Sequence, residues 1–351
     1  MKLVLSPEQQ QLREAVRAFL RTASPLPKVR EGYDPQVYAR LNGELGLSGL
    51  IVPEEYGGAG AGLAELAVAL EETGAALLPG PFLATVFATL AATRLGPVPD
   101  KELLTGIAEG RIAATLAQPD AEADVSYDGT AVRGTLPRVL SGMEADVLVV
   151  PALTGDGLVM LAVDLAAAGV TRTALETLDI TRGQARVVME GAPARVLGRP
   201  AAGEAESGIG DRLSVALAAE QLGVLRASLD AIVAYAKIRV TFGRYIGSYQ
   251  GVKHKLADMH CKLEQAESIV RYAAWAADES PGELPGAAAL AQAYVGRACF
   301  EVARDHLLLH GGIGFTWEHD AHLYYKRAKA DEVLLGPPRL HRARLAQLLE
   351  L

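Results

Sequence analysis

The spacing of apolar residues changes from helical to alternating and back, and this change restricts the fold more than any other feature. Up to about residue 110 apolar residues recur at helical intervals, beginning after an N-cap pattern at Ser6-Pro7. From Arg111 to Pro200 they alternate in short runs separated by turn pairs such as Asp128-Gly129. From Asp211 the helical interval returns. The order predicts a mainly helical α+β protein with three domains: N-terminal helical (1–110), middle antiparallel β (111–203) and C-terminal helical (204–351).

Composition excludes several classes of protein. The formal net charge is −8, so there is no sequence-wide basic surface that would attract nucleic acid or an anionic membrane. The N-terminus turns polar within a few residues, and no apolar run reaches membrane-spanning length. Cys261 and Cys299 lie in helical patterns and fit buried thiols in a reducing compartment. We expect a cytoplasmic protein that binds neither nucleic acid nor membrane.

A polar connection interrupts the C-terminal helical pattern between Arg239 and Met259. Gly243 and Gly247 bracket a short break there, and the Arg, Tyr, Ser and Gln side chains around them cannot all be buried in a core. A break of this kind presents helix ends and polar side chains to a ligand or a neighbouring subunit. The connection is therefore the main candidate binding segment.

Two further segments are rich in glycine, from Leu45 to Gly60 and from Leu308 to Asp320. Glycine lets a backbone approach a ligand closely, and its amide can hold a phosphate oxygen. Taken alone, the first segment fits a plain loop before a helix at Leu63–Gly74, and a single Gly-Gly-x-Gly in the second is weak evidence of a site. Their meaning depends on their occurring together.

The three segments together resemble the acyl-CoA dehydrogenase family. The residues Arg239-x-x-Phe-Gly and the following Ile-Gly-x-x-Gln resemble its helix–turn–helix signature, and the loop from Leu45 resembles its Gly-Leu-x-Gly-Leu-x-Val-Pro-Glu-x-Tyr-Gly-Gly loop. The run from His310 to Asp320 resembles the segment with which one family subunit touches the FAD of its neighbour. The resemblance covers nearly the whole chain and implies the family fold, with a C-terminal four-helix bundle, and FAD as cofactor.

The resemblance also implies roles in FAD binding for individual residues. Arg239, Thr241 and Phe242 would face the pyrophosphate or adenine of a facing subunit's FAD, and Gln250 would add a hydrogen bond. A guanidinium forks onto phosphate oxygens and an aromatic ring packs on a flavin or adenine ring, which agrees with these roles. The other interpretation of Arg239 is an ion pair with an acid on the next helix. Gly311 and Gly312 would contribute backbone contacts.

The segments that would cover the flavin differ from the family pattern. Ser141 would offer a hydroxyl to the flavin, but it follows Val139-Leu140, where the family has an aromatic residue. The run Ala117-Gln118-Pro119 stands where the family usually has Thr-Glu-Pro, and Leu308 stands where it usually has Gln. The resemblance therefore implies a weaker flavin cover in this chain.

No acid occupies the positions at which the family places its catalytic base. Dehydrogenation of an acyl thioester needs a carboxylate that takes the α proton while the β hydride goes to the flavin. The two family positions for this Glu fall on Leu213 and Leu335, and leucine cannot take a proton. Asp211, Glu220 and Glu332 lie nearby and are alternative bases, with Glu220 the first to test, although acids on helices are more often solvated or ion-paired.

A chain with these cofactor motifs and no base resembles the smaller subunit of actinobacterial α2β2 acyl-CoA dehydrogenases of steroid side-chain breakdown. That resemblance implies FAD-dependent α,β-dehydrogenation of an acyl-CoA in fatty acid or steroid side-chain β-oxidation. It also implies a catalytic partner subunit and electron-transfer flavoprotein as the acceptor. The alternatives are a homo-oligomeric dehydrogenase with a displaced base, and a non-enzymatic homologue that binds acyl-CoA.

Histidine is the remaining source of chemistry, because all seven histidines lie in the C-terminal third. His306 with His310, and His319 with His322, have spacings that can share a helix face. There is no His-Glu-x-x-His and no acidic or thiol cluster at metal-ligand spacing, so we expect no metal site.

Overall fold

The computed structural model describes residues 3–95, 100–117, 124–155, 157–199 and 204–351. Its helices in chain order are α1 (Pro7–Ala23), α2 (Leu26–Val29), α3 (Pro35–Leu45), α4 (Leu63–Ala75), α5 (Phe82–Ala92), α6 (Lys101–Ala108), α7 (Glu204–Ile238), α8 (Gln250–Glu279), α9 (Leu284–Leu309), α10 (Ala321–Leu334) and α11 (Pro338–Leu348). Its strands are β1 (Ala114–Leu116), β2 (Asp124–Tyr127), β3 (Ala131–Leu140), β4 (Val147–Thr154), β5 (Gly157–Asp164), β6 (Val170–Ala174), β7 (Gln184–Pro193), β8 (Arg195–Gly198), β9 (Val240–Thr241) and β10 (Arg244–Tyr245). The predicted order of helices, strands and helices is confirmed.

The chain forms two compact units. The first contains the N-terminal residues up to Arg30, the segment Leu63–Leu78 and the chain from Ser214 to Leu351. In it α8, α10 and α11 pack against α9, and α1 and α8 pack against α4. The second unit contains Glu31–Gly62 and Pro79–Leu213. The three-domain division at residues 110 and 203 stays a prediction.

The second unit is built on a curled sheet with the strand order β6-β7-β3-β2-β4-β5-β8, and β1 pairs with β4. Its inward face is apolar and includes Val132, Leu136, Leu148, Leu161 and Val187. Most neighbours are antiparallel as predicted, but β1 and β2 each run parallel to β4. The hairpin of β2 and β3 lies between β1 and β4 in sequence and supplies the crossover that parallel pairing requires.

Several elements were not predicted from the sequence, and three of them, β6, β8 and α5, lack the expected periodicity for a physical reason. β6 and β8 are the two edge strands of the sheet, and most of their side chains are exposed or half-buried, so no apolar alternation marks them. In contrast, every residue of α5 is buried, so the helix has no polar face to define a period.

The start of α1 follows the predicted capping pattern. The Ser6 hydroxyl accepts a hydrogen bond from the Gln9 amide at 3.2 Å, and the Gln9 side-chain oxygen accepts one from the Ser6 amide at 3.0 Å. This reciprocal capping box, with Pro7 at the first helical position, fixes where the helix begins.

Helices α4 and α7 approach so closely that only glycine fits at their crossing. A Cβ atom placed on Gly223 would lie 1.8 Å from the backbone oxygen of Glu71, and one on Gly74 would lie 2.1 Å from that of Glu220. Both distances are far inside van der Waals contact with backbone, which cannot move aside as a flexible side chain can. The crossing therefore sets how α7 is held in the first unit.

We expect Gly223→Ala to lower the free energy of unfolding by about 3 kcal/mol, because the added methyl forces two packed helices apart. Gly210→Ala on the same helix is the matched control. Gly210 is exposed with nothing within 4 Å of an added Cβ. That substitution should raise the free energy of unfolding by about 0.5–1 kcal/mol through helix propensity. Chemical denaturation of both variants measures the difference, and equal stabilities would contradict the close crossing.

Candidate functional site

A tight hairpin connects α7 to α8 at the segment singled out by sequence. Thr241 on β9 faces Arg244 on β10, and the two residues between them, Phe242 and Gly243, have φ values of 49° and 78°. Two consecutive positive φ values are typical of a type I′ turn. The Tyr249 hydroxyl donates to the Thr241 carbonyl oxygen at 2.8 Å and holds the hairpin against the start of α8.

Phe242 at the tip of this hairpin is held in a conformation that costs free energy. A left-handed backbone is unfavourable for a bulky L-residue by about 1–2 kcal/mol. The side chain gains no burial in return, because 94% of it is exposed. An aromatic ring presented to solvent at the cost of strain indicates a contact with something outside this chain.

The hairpin and the glycine-rich segment form the two walls of a groove of about 720 Å³. We call this the hairpin groove; its lining is Tyr235, Arg239, Thr241, Phe242, Ile246, Tyr249, Val252 and Leu308–Ile313. Five predicted cofactor-binding residues come together there: Arg239, Thr241, Phe242, Gly311 and Gly312. Their role in binding stays a prediction, but the fold gathers them at one place within the first unit.

The charge in the hairpin groove is positive. No carboxylate lines it in the described part of the chain. The Arg239 side chain is exposed and makes no ion pair with any described residue, so the alternative interpretation of Arg239 as half of an ion pair is not what the structure shows. A guanidinium without a carboxylate partner is free to fork onto a phosphate.

The glycines of the groove wall leave their backbone open to a ligand. Gly311 has a φ of 68°, and a Cβ added at Gly311 or Gly312 would meet nothing within 4 Å. Gly314 is different, since its added Cβ would lie 2.5 Å from the Leu307 carbonyl oxygen and the residue is buried. Gly314 is thus needed for packing, whereas Gly311 and Gly312 provide space beside exposed amides. An unpaired guanidinium, open glycine backbone and an exposed aromatic ring together fit an anionic cofactor with a planar ring.

Two predicted cofactor residues do not line this groove. Gln250 is exposed, and its side-chain amide lies 2.7 Å from Nε2 of His254, one helical turn along α8. Ser141 belongs to the second unit, where its buried hydroxyl donates to the Gly80 carbonyl oxygen at 3.3 Å. Gln118 and Pro119 lie outside the described residues.

The two family positions for a catalytic base carry no acid, and the nearest acids of the first unit are ion-paired. Leu213 is buried in α7 and Leu335 is half-buried after α10. Glu220 lies 3.5 Å from the guanidinium of Arg327, and both side chains are almost fully buried. Glu332 lies 2.6 Å from the ammonium of Lys329. Both carboxylates are thus engaged by cationic side chains of the same chain.

A histidine cluster beside the hairpin groove was not predicted as a unit. Ring centroids of His310 lie 4.8 Å from His306 and 4.2 Å from His319, and His310 also packs on Tyr235 at 4.3 Å. Nδ1 of His310 lies 2.8 Å from the His306 carbonyl oxygen and must therefore donate. Only the spacing of His306 and His310 signalled this cluster, since His319 reaches it through the fold.

Burial disfavours the charged forms of His306 and His310 by lowering their pKa. Burial, together with His310 and His319, lowers the pKa of His306 to about 3, and neither His306 ring nitrogen has a hydrogen-bond partner. Burial and the nearby His319 also lower the pKa of His310, against the opposing effect of its hydrogen bond to the His306 carbonyl. In the described ranges no group of three or more histidine, cysteine or acidic side chains has a geometry that could hold a metal ion.

The fold and the open groove together define a class of acyl-CoA-oxidising flavoenzymes, and sequence models of that class match this chain. The model of the acyl-CoA dehydrogenase N-terminal domain matches residues 6–103, and that of the C-terminal domain matches residues 211–349. The chain belongs to the acyl-CoA dehydrogenase family, a family of oxidoreductases whose cofactor is FAD. The predicted family is confirmed.

Similar proteins of known name agree with this assignment. Acyl-CoA dehydrogenase IpdE2 of Mycolicibacterium smegmatis is 35% identical over 97% of this chain and 98% of its own length. Acyl-CoA dehydrogenase FadE34 of Mycobacterium tuberculosis is 39% identical over 96% of this chain, which spans 47% of FadE34. A solved variant of the Tcur3481–Tcur3483 steroid ACAD is 30% identical, with 98% of both chains covered and a TM-score of 0.88.

Within the described residues, no helix combines the length and apolar character needed to cross a bilayer.

The buried histidines predict a loss of stability in acid. Because the pKa of His306 is lowered in the folded state, the unfolded chain takes up a proton near pH 6.5 that the folded chain refuses. Stability should therefore fall as the pH drops below about 6.5, by up to about 1.4 kcal/mol per pH unit for this one group. We expect His306→Leu to remove that part of the slope, as measured by denaturant unfolding from neutral pH to about pH 5.

The control is His260→Leu, which removes a histidine whose side chain is 63% exposed on α8. That variant should follow the pH dependence of the parent protein. A His306→Leu variant that loses stability as steeply as the parent would show that His306 is not buried in its neutral form.

Proposed function

We propose that this chain is a subunit of a FAD-dependent acyl-CoA dehydrogenase and that its hairpin groove completes a FAD site at the boundary with another subunit. The observation that carries the proposal is Phe242, 94% exposed in a left-handed conformation beside an unpaired Arg239. A strained, solvent-facing aromatic residue gains its burial only when a cofactor and a partner surface cover it.

Each lining residue has a distinct task in this proposal. Arg239 binds the phosphates, the open amides of Gly311 and Gly312 approach the same anionic part, and Phe242 packs on a ring and excludes water. Bound FAD supplies the acceptor for the hydride that leaves the β carbon of the acyl-CoA. Thr241, whose carbonyl oxygen accepts from Tyr249, keeps the hairpin in register while the groove is filled.

The proton acceptor comes from a different polypeptide in this proposal. Leu213 and Leu335 occupy the family positions for a base, and Glu220 and Glu332 are held in ion pairs. A general base must reach the proton that it abstracts, and both carboxylates are instead engaged by cationic side chains of this chain. The assembly is therefore a heteromer of α2β2 type, in which this chain binds FAD and a partner subunit takes the α proton of the acyl-CoA.

The relatives suggest the kind of substrate and the setting. The Tcur3481–Tcur3483 relative is a steroid ACAD. This favours, as substrate of this chain's assembly, a steroid whose side chain carries the CoA thioester over a short fatty acyl-CoA. Electron-transfer flavoprotein, the usual acceptor in this family, would reoxidise the flavin. Cys261 is exposed and not buried as expected, whereas Cys299 is buried; both are free thiols, which favours a reducing, cytoplasmic setting.

We expect Phe242→Gly to affect the lone chain and the assembly in opposite directions. Glycine relieves the backbone strain, so the free energy of unfolding of the lone chain should rise by about 1 kcal/mol. Loss of the ring should weaken association with the co-expressed partner, and retention of FAD, by about tenfold or more. Native mass and the flavin absorption spectrum of the co-purified assembly measure both.

Leu153→Ala is the matched control, because Leu153 is also an exposed apolar residue, at 61%, but lies on β4 of the second unit. It should leave FAD content and assembly unchanged. A lone chain that loads fully with flavin and oxidises acyl-CoA would rule out the divided site, and a preparation without flavin in every assembly would rule out the cofactor.

A homo-oligomer with Glu220 as a displaced base is the second candidate, favoured by its position on α7 seven residues after Leu213. That function predicts that Glu220→Gln abolishes reduction of the flavin by acyl-CoA without releasing FAD. Its buried contact with Arg327 leads us to expect the opposite result. Loss of the charge partner should lower the free energy of unfolding by about 3 kcal/mol while flavin reduction continues.

Asp230→Asn on the same helix is the control for this experiment. Asp230 is exposed, and no described residue forms an ion pair with it. Its substitution should change neither stability nor flavin reduction. Stopped-flow reduction and denaturant unfolding of the two variants distinguish a proton acceptor from a structural ion pair.

A further inference from the structure

One arginine from the N-terminal part of the first unit binds the chain at Trp317 and Asp320, just after the glycines of the groove. Arg30, directly after α2, donates from Nη2 and Nε to Oδ1 of Asp320 at 2.6 and 3.2 Å. Its Nη1 donates to the Trp317 carbonyl oxygen. A single guanidinium therefore holds both a side chain and the backbone of a segment almost three hundred residues away in sequence.

This segment runs from His310 to Asp320 between α9 and α10 and is called the glycine loop below. Its other fixed points are the buried His310, which packs on His319 at 4.2 Å, and the buried Gly314. Its apolar side chains Ile313, Phe315 and Trp317 are 47%, 64% and 68% exposed, so burial does not anchor them. Only Gly314 of its short 3₁₀ turn is buried. The part of the loop after Gly314 consequently depends mainly on polar contacts near its end.

The Trp317 indole contributes to the same fastening. The Lys326 ammonium lies 4.4 Å from the indole ring centroid, and the His322 ring lies 4.9 Å away on a perpendicular plane. These contacts hold the ring while it stays accessible to water. Charge-assisted hydrogen bonds from a planar guanidinium add direction to this cluster, since its donors have a fixed geometry.

We propose that Arg30 is a positioning residue for the cofactor groove: it fixes the end of the glycine loop and thereby the place of the Gly311 and Gly312 amides. The proposal rests on the function proposed above. Without this fastening the loop must be ordered at the moment of binding. We expect the entropic cost of ordering the loop to reduce the affinity for FAD by about three- to tenfold.

The protein contains an optical probe at the right place. Trp275 and Trp317 are its two tryptophans, so Trp275→Phe leaves only the indole of the glycine loop. In that background, Arg30→Ala should increase quenching of Trp317 fluorescence by acrylamide and lower its anisotropy, in the full chain before any flavin is added. In the co-expressed assembly the same variant should retain FAD about three- to tenfold more weakly.

Two further variants separate fastening from net charge. Arg30→Lys keeps the charge but cannot reach two acceptors as a fork, so it should restore the behaviour only in part. Asp320→Ala should resemble Arg30→Ala, and the double variant should be no worse than either single one. Arg21→Ala removes an equal charge from α1, where no described residue forms an ion pair with Arg21, and should leave quenching and FAD retention unchanged.

The outcomes assign the cause. Unchanged Trp317 quenching in Arg30→Ala would overturn the positioning role and leave the proposed FAD site standing. Increased quenching with unchanged FAD retention would also overturn it, since the loop would then be loose without consequence for binding. Parent protein that takes no FAD alone or with its partner would overturn the proposed function itself, and the positioning role with it.

Discussion

Glu71 on α4 holds together the four helices on which the first unit depends. Its backbone oxygen lies against Gly223 of α7, where a Cβ atom would not fit. Its carboxylate accepts from Arg13 of α1 at 3.1 Å, Arg226 of α7 at 2.8 Å and Arg271 of α8 at 2.5 Å. Burial alone would raise the pKa of Glu71, but these three charges together hold it below its ordinary value. Removing one partner from such a buried network typically costs about 3–5 kcal/mol.

This fixed point explains how a short hairpin can present an unburied ring with precision. Arg226 and Arg271 clamp α7 and α8 to the same carboxylate, so both helices that flank the hairpin are fixed with respect to each other. From Arg226 to the end of α7 at Ile238 is about 18 Å of rigid helix. The connection that follows needs only a type I′ turn and one tyrosine hydrogen bond to be placed. Its own burial is not required, and Phe242 is free to point outward.

Local signals in the sequence were sufficient for the parts of the molecule that local signals determine. The capping box at Ser6, the change from helical to alternating spacing and the glycine pattern at Gly311 each reflect residues close in sequence. The ion pair of Arg30 with Asp320 and that of Glu220 with Arg327 join distant segments and leave no periodic trace. Edge strands and a helix buried on all sides were also not predicted. A periodic pattern arises only when an element has one face in the core and the other in water. The binding of FAD by the residues of the groove stays a prediction.

The strain at Phe242 and the leucines at the base positions are independent observations. Both support the proposed division of the flavin site between two subunits. A lone chain that places a ring in a left-handed turn and in water has a free energy that association can lower, because covering the ring restores apolar burial. A proton acceptor, in turn, must reach the substrate, and the carboxylates of Glu220 and Glu332 are engaged by Arg327 and Lys329. In the proposed assembly, this chain binds FAD at its surface, while leucine stands at the family positions for the base. Two different polypeptides that share one flavin would meet both requirements, because one can bind the cofactor and the other can supply the base.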